Sequence, residues 1–107
     1  MTTRAADKLN HVVSFKFKPT ASAEEIKKVE EAFEALKQKI TQIVSLEWGT
    51  NVSKEKLNKG FTHCWILAFK SEKDRDIYIE HPAHKEFGKI AGPVIQEAFV
   101  IDFASRQ

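Results

Sequence analysis

Four stretches of the chain are predicted to be β-strands, and the first alternates strongly between apolar and polar residues, with the period of two that is typical of strands. They cover residues 9–18, 43–52, 61–70 and 98–103. One face of the first stretch carries His11, Val13, Phe15 and Phe17. The third stretch is largely apolar on both faces, so we expect both of its faces to be covered. Gly49, inside the second stretch, suggests a bulge or a close approach of the backbone.

A helix is predicted between the first two strands, because Ser22 followed by Glu25 forms a capping-box pattern. Behind this cap, apolar residues recur every three or four positions and form one stripe that can face a sheet. The stripe consists of Ile26, Val29, Phe33, Leu36 and Ile40. The opposite face is rich in Lys and Glu, so we expect this helix to cover the sheet with one side only.

A second helical region is predicted to break in two at a proline. Ser71, with Asp74 three residues later, is a favourable start for its first half. Proline disfavours a helical backbone in the residue before it, so His81 should end that half. Pro82 is well placed to begin the second half, which should run toward residues 92–93. Residues 53–60 are expected to form a polar loop with up to one helical turn.

The predicted elements follow the order β-α-β-β-α-β, with the second α broken in two. This order is that of ferredoxin-like α+β domains, in which helices cover one face of an antiparallel sheet. We expect residues 1–107 to form one such domain, with a core at about 9–103. The other sheet face would leave a large apolar patch in water, so we expect a homodimer formed through the sheet faces.

Composition narrows the function classes. The 17 basic and 15 acidic residues are mixed along the chain, and the net charge is +2, without the basic stripe of a nucleic-acid-binding protein. Because no apolar run suits a membrane span or a signal peptide, we expect no membrane partner and a cytoplasmic location. The lone Cys64 excludes an internal disulfide and suits a reducing compartment.

Candidate chemistry concentrates between residues 78 and 87. Tyr78, His81 and His84 fall within seven residues, on both sides of Pro82. His84 would be the third residue of a helix whose dipole disfavours imidazolium, which keeps the ring neutral. The alternatives are that His84 caps or packs locally and that Tyr78 belongs to an apolar helix stripe. His81 is expected to orient the turn through a hydrogen bond.

Two further histidines lie on apolar strand faces. His11 and His63 are either satisfied core residues or together line one pocket. No carboxylate motif accompanies His81 and His84, so no metal site is expected. The charged clusters at 54–56 and 72–75 are expected to be solvated faces.

Five segments resemble one known family. They are residues 11–18 (HVVSFKFK), 48–53 (WGTNVS), 60–63 (GFTH), 78–84 (YIEHPAH) and 100–103 (VIDF). Through them the chain resembles the stress-response A/B barrel domain family (Dabb) over about residues 9–103. The resemblance implies ferredoxin-like subunits that pair their sheets into a dimeric α/β barrel.

The resemblance also implies candidate roles. One enzyme type in that family is a cofactor-independent polyketide cyclase, whose catalytic base and proton donor fall on His84 and Tyr78. The expected substrate-contacting residues are His11, His63, Val13, Phe15, Phe33 and Phe87. Our first hypothesis is a homodimer whose apolar pocket binds a small hydrophobic or polyketide-like ligand, and our second is such a cyclase, in both cases without a cofactor. A cofactor-free monooxygenase is a third, by analogy of fold alone.

The chain departs from that enzyme type where the pocket should select its substrate. An aromatic cluster of the first helix corresponds here to Val29, Glu30, Phe33 and Glu34. Ile95 stands where that enzyme type has a tryptophan. We therefore expect a pocket of different shape and greater polarity.

Overall fold

A computed structural model describes residues 8–106 and contains one four-stranded antiparallel sheet. The strands lie in the order β2-β3-β1-β4 across this sheet. In chain order the elements are β1 (Leu9–Phe17), α1 (Ala23–Lys39), β2 (Ser45–Thr50), β3 (His63–Phe69), α2 (Glu72–Glu80), α3 (Pro82–Ala91), a short 3-10 helix (Gly92–Val94) and β4 (Ile95–Ala104). The expected ferredoxin-like α+β order, with its second helix broken in two, is confirmed.

Side-chain caps fix where the helices begin. The Ser22 hydroxyl accepts from the Glu25 N–H at 3.1 Å, and the Glu25 carboxylate accepts from the Ser22 N–H at 2.9 Å. This reciprocal pair satisfies two backbone donors at the open end of α1, as the capping-box pattern predicted. The Ser71 hydroxyl caps α2 by accepting from the Asp74 N–H.

The expectation of a bulge or a close backbone approach at Gly49 was wrong. The pairing of β2 with β3 runs without interruption through Gly49, which lies opposite Cys64, so there is no bulge there. The backbone is not closely approached at Gly49 either, because a Cβ at this position would have no atom of residues 8–106 within 4 Å. The irregular register instead falls between Lys16 and Phe17, where β1 pairs with β4. Residues 53–60 form the expected polar loop, without a helical turn.

The core lies between the helices and one face of the sheet. The stripe of α1 buries Val29, Phe33 and Leu36 in this core, and the Phe33 ring stacks on Trp65 of β3 with centroids 4.5 Å apart. Burying large apolar side chains in this way removes them from water, which is the main favourable contribution to folding.

The other sheet face, which we call the outer face, has no helix over it within residues 8–106. Its side chains include Val12, Ile66, Phe99, Ile101 and Phe103, which adjoin one another across β1, β3 and β4. Phe99, Ile101 and Phe103 are each about half exposed. The apolar patch that the strand patterns predicted is therefore present. No helix in this described part of the chain is long and apolar enough to cross a membrane.

Candidate functional site

The helix break at Pro82 brings Tyr78 and His84 together. His81 ends α2, and its Nδ1 accepts the Ala83 N–H at 3.0 Å, which caps α3. The orienting hydrogen bond expected of His81 is therefore present. Across this turn the last part of α2 faces the first turn of α3, and the Tyr78 and His84 ring centroids lie 4.6 Å apart. Tyr78 and His84, on separate helices, are thus in contact behind the sheet.

A strand residue completes the contact. The His11 ring of β1 meets the Tyr78 ring edge to face, at 5.6 Å between centroids. Its Nδ1 lies 2.6 Å from Oδ1 of Asp102 on β4, and the other carboxylate oxygen accepts from Arg75 of α2 at 2.7 Å. We call these five residues the Tyr78 cluster: Tyr78, His84, His11, Asp102 and Arg75.

The hydrogen bonds of the cluster identify which ring nitrogens carry hydrogen. The carbonyl oxygen of Ile79 lies 3.1 Å from Nδ1 of His84 and can only accept, so Nδ1 donates to it. The lone pair of a neutral His84 is therefore on Nε2. By the same reasoning, the Asp102 carboxylate accepts from Nδ1–H of His11.

Burial shifts the pKa values of Tyr78 and His84 in opposite directions. Tyr78 is almost fully buried, and this burial raises the pKa of its phenol, so the group keeps its proton. Burial also lowers the pKa of the half-buried His84, and it outweighs the Ile79 hydrogen bond, which acts to raise that pKa. The expected neutral imidazole is thus favoured chiefly by burial. A protonated donor and a neutral acceptor lie side by side.

His63 lies in a second cluster, apart from Tyr78. On β3 it is opposite Phe15, whereas His11 is opposite Leu67 on the same strand, four residues away. Its Nε2 lies 2.7 Å from the Glu30 carboxylate of α1, and its Nδ1 lies 2.8 Å from the Thr62 hydroxyl. The His63 ring packs against Phe17, Trp48 and Trp65. Each of the two strand histidines therefore has a carboxylate partner of its own.

The other expected substrate-contacting residues belong to the core. Val13, Phe15, Phe33 and Phe87 are buried in one hydrophobic cluster with Trp65. Phe87 packs on both Phe15 and Phe33. The indole N–H of Trp65, in the middle of these rings, is fully buried and has no hydrogen-bond partner within the described residues. This buried donor lies between the helices and the sheet.

Three contributors to these clusters were not proposed as site residues from the sequence. Asp102 carried a signal, because it is the polar residue that interrupts an apolar strand. Glu30 differed from the aromatic pattern of the cyclase type, and the structure pairs it with His63. Arg75 was expected on a solvated face, which is wrong, because it is mostly covered and bonds to Asp102. Within residues 8–106, no group of three or more His, Cys, Asp or Glu side chains is arranged to hold a metal ion.

Comparison with known proteins identifies the family. The profile of the Stress responsive A/B Barrel Domain (Dabb) matches residues 9–105. The chain belongs to the Dabb family. A Dabb relative, a stress-response A/B barrel domain-containing protein of Arabidopsis thaliana, is 34% identical over 95 residues, which cover 89% of this chain and 87% of the relative. The olivetolic acid cyclase of Cannabis sativa is 24% identical over 99 residues, covering 92% and 98%.

Solved structures agree with this Dabb assignment. A crystal structure of an Arabidopsis thaliana protein has a TM-score of 0.86 at 32% identity, covering 92% of this chain and 96% of that chain. A dimeric protein of unknown function with a ferredoxin-like fold, from Bacteroides fragilis, has a TM-score of 0.75 at 26% identity, covering 92% and 97%. These neighbours support the ferredoxin-like fold of the Dabb domain.

Proposed function

We propose that this Dabb protein works as a homodimer that binds a small apolar molecule bearing a carbonyl group at the Tyr78 cluster. The observation that carries the proposal is the 4.6 Å contact between the Tyr78 and His84 rings. A buried phenol that keeps its proton favours a ligand that offers an acceptor. Because the neighbouring side chains are mostly aromatic, the rest of the ligand should be apolar.

The dimer part of the proposal is supported by the outer face. Soluble monomers rarely expose contiguous apolar patches of this kind, and a second copy of the chain covers such a face by two-fold symmetry. The Bacteroides fragilis neighbour is described as dimeric. We also propose a cytoplasmic location, which the presence of only one cysteine supports.

A second candidate is a cofactor-independent cyclase that closes a polyketide-like chain by aldol condensation. In this mechanism Nε2 of His84 removes a proton from the carbon between two carbonyls, and the carbanion attacks a ketone of the same molecule. Tyr78 donates a hydrogen bond to the oxyanion that forms there. The opposite pKa shifts of the two side chains suit these roles, and the Cannabis sativa relative is named as a cyclase of olivetolic acid.

Binding is tested by isothermal titration calorimetry with 2,4-nonanedione, a linear molecule with two carbonyls and an apolar tail. We expect Tyr78→Phe, which removes only the hydroxyl, to weaken binding about fivefold. Thr41→Val removes an exposed hydroxyl outside the cluster and should leave the affinity unchanged. Equal affinities for wild type and Tyr78→Phe would refute the proposed site.

The cyclase candidate has a separate test, turnover of a linear tetraketide thioester. We expect wild type to give a cyclised product and His84→Ala to give none above the enzyme-free control. If both proteins give the same products, or neither exceeds that control, the cyclase is excluded. The binding proposal is unaffected by this result and is tested by calorimetry alone.

A further inference from the structure

A cleft of about 570 Å³ opens on the outer face of the sheet, away from the Tyr78 cluster. Its floor is a row of neighbouring positions across all four strands, Gly49, Cys64, Ser14 and Phe99. The first three are small, so the sheet surface is depressed there between larger neighbours. The volume lies within the range of about 300–1,000 Å³ that is usual for small-molecule sites.

Much of the cleft wall is aromatic or apolar, and Glu47, Asn51, Asn58 and Lys59 add polar groups to the lining. The Phe61 ring packs on Phe99 with centroids 6.1 Å apart, and the Lys16 ammonium lies over the Phe61 ring, 5.1 Å from its centroid. Trp48 forms part of the lining at the β2 edge, and Ile66 lies next to Cys64 on β3. Walls of this kind favour a flat, apolar ligand that can stack on aromatic rings.

One polar group in the lining has a fixed hydrogen-bonding direction. Glu30, as a carboxylate, can only accept, so Nε2 of His63 carries the hydrogen. In a neutral imidazole Nδ1 is then the acceptor, and the Thr62 hydroxyl donates its hydrogen to it at 2.8 Å. The lone pairs of Thr62 Oγ are left for another partner. Both Thr62 and His63 line the cleft.

We propose that this cleft is a second small-molecule site, which takes a flat, largely apolar compound that donates a hydroxyl hydrogen to Thr62 Oγ. The Thr62–His63–Glu30 chain makes Thr62 an acceptor and therefore selects for a donor, as phenols and aromatic alcohols provide. The site shares no residue with the Tyr78 cluster and does not rest on the function proposed for it. In a dimer formed through the outer face, the second copy would close the open side of the cleft.

The test compares two probes of the same ring system, 1-naphthol and 1-methoxynaphthalene, by isothermal titration calorimetry at pH 8, where histidine is ordinarily neutral. Only 1-naphthol has a hydroxyl hydrogen to donate. We expect wild type to prefer 1-naphthol about fivefold, the effect of one neutral hydrogen bond. Thr62→Val should lose this preference and keep its affinity for 1-methoxynaphthalene. Thr41→Val, at an exposed threonine outside the cleft, is the matched control and should behave as wild type.

Two more variants probe the floor of the cleft and the direction of its hydrogen bonds. Gly49→Leu fills the floor, where a Cβ would have no atom of the described residues within 4 Å, and should weaken both probes tenfold or more. Glu30→Gln lets the amide donate to Nε2, which allows Nδ1–H to donate to Thr62, so the preference for 1-naphthol should fall. Equal affinity of wild type for the two probes, or identical behaviour of Thr62→Val and Thr41→Val, would overturn the proposal. Absence of binding by a dimeric wild type would also overturn it and would assign the cleft to the second copy.

Discussion

His11 and Asp102 lie directly opposite each other on β1 and β4, and their side chains are joined at 2.6 Å between Nδ1 and Oδ1. This pairing fixes the tautomer of a histidine whose ring packs on Tyr78. The second oxygen of Asp102 reaches Arg75 and thereby ties α2 to the edge of the sheet. One carboxylate therefore positions both the strand and the helix side of the Tyr78 cluster.

Removal of that carboxylate should destabilise the protein. We expect Asp102→Ala to lower the free energy of unfolding by about 1–2 kcal/mol, because His11 and Arg75 both lose a partner. Asp76→Ala is the control, since Asp76 also bonds to Arg75 but is exposed. Its effect should stay within about 0.5 kcal/mol. Urea unfolding at one fixed protein concentration measures both, and equal effects would contradict the positioning role of Asp102.

The lowered pKa of His84 gives stability a pH dependence. In the folded protein the pKa of His84 lies below its ordinary value of 6.5. The unfolded chain therefore binds this proton first as the pH falls. The protonation of His84 thus leaves the free energy of unfolding unchanged above pH 6.5 and lowers it below that value. Wild type should therefore lose more stability between pH 7 and pH 5 than His84→Gln does. Parallel losses in urea unfolding at the two pH values would contradict the shift.

Gly60→Ala should lower the free energy of unfolding, whereas Gly88→Ala should raise it. Gly60, just before β3, has φ +85°, a left-handed backbone that costs an L-residue about 1–2 kcal/mol. Gly88 lies within α3 with open space around its Cβ position, so Gly88→Ala should add about 0.5–1 kcal/mol through helix propensity. Chemical unfolding of the two variants measures the difference. A stabilising Gly60→Ala would show that the turn before β3 does not need its left-handed residue.

The proposed dimer depends on the outer face and should respond to charge there. Ile101→Glu places a carboxylate in the middle of that face and should yield a monomer, because burying an unpaired charge is costly. Ile77→Glu changes an exposed isoleucine of α2, away from the outer face, and should leave the dimer intact. Light scattering coupled to size exclusion gives both masses. A monomeric wild type in dilute solution would refute the dimer.

The sequence predicted the fold well because its strongest signals are local. The strand alternation, the Ser22 capping box and the Pro82 break each act within a few residues, and the structure contains all three. The prediction for Gly49 was wrong because a glycine in a strand permits a bulge or a close neighbour but requires neither.

The site was only partly predictable, because its partners are distant in sequence. Tyr78 and His84 are six residues apart, so their proximity followed from the helix break. His11 and Asp102 are 91 residues apart, and their pairing depends on the register of β1 with β4. The separation of His63 from Tyr78 likewise required the register of β1 with β3, which no local pattern determines.

The most direct test of the site at Tyr78 and His84 follows the histidine ring nitrogens by ¹H–¹⁵N NMR during titration with 2,4-nonanedione. We predict that the His84 signals move in proportion to saturation, that those of His63 and His81 stay in place, and that Tyr78→Phe weakens the response. An unchanged His84, or a response at His63 alone, would contradict the proposed site.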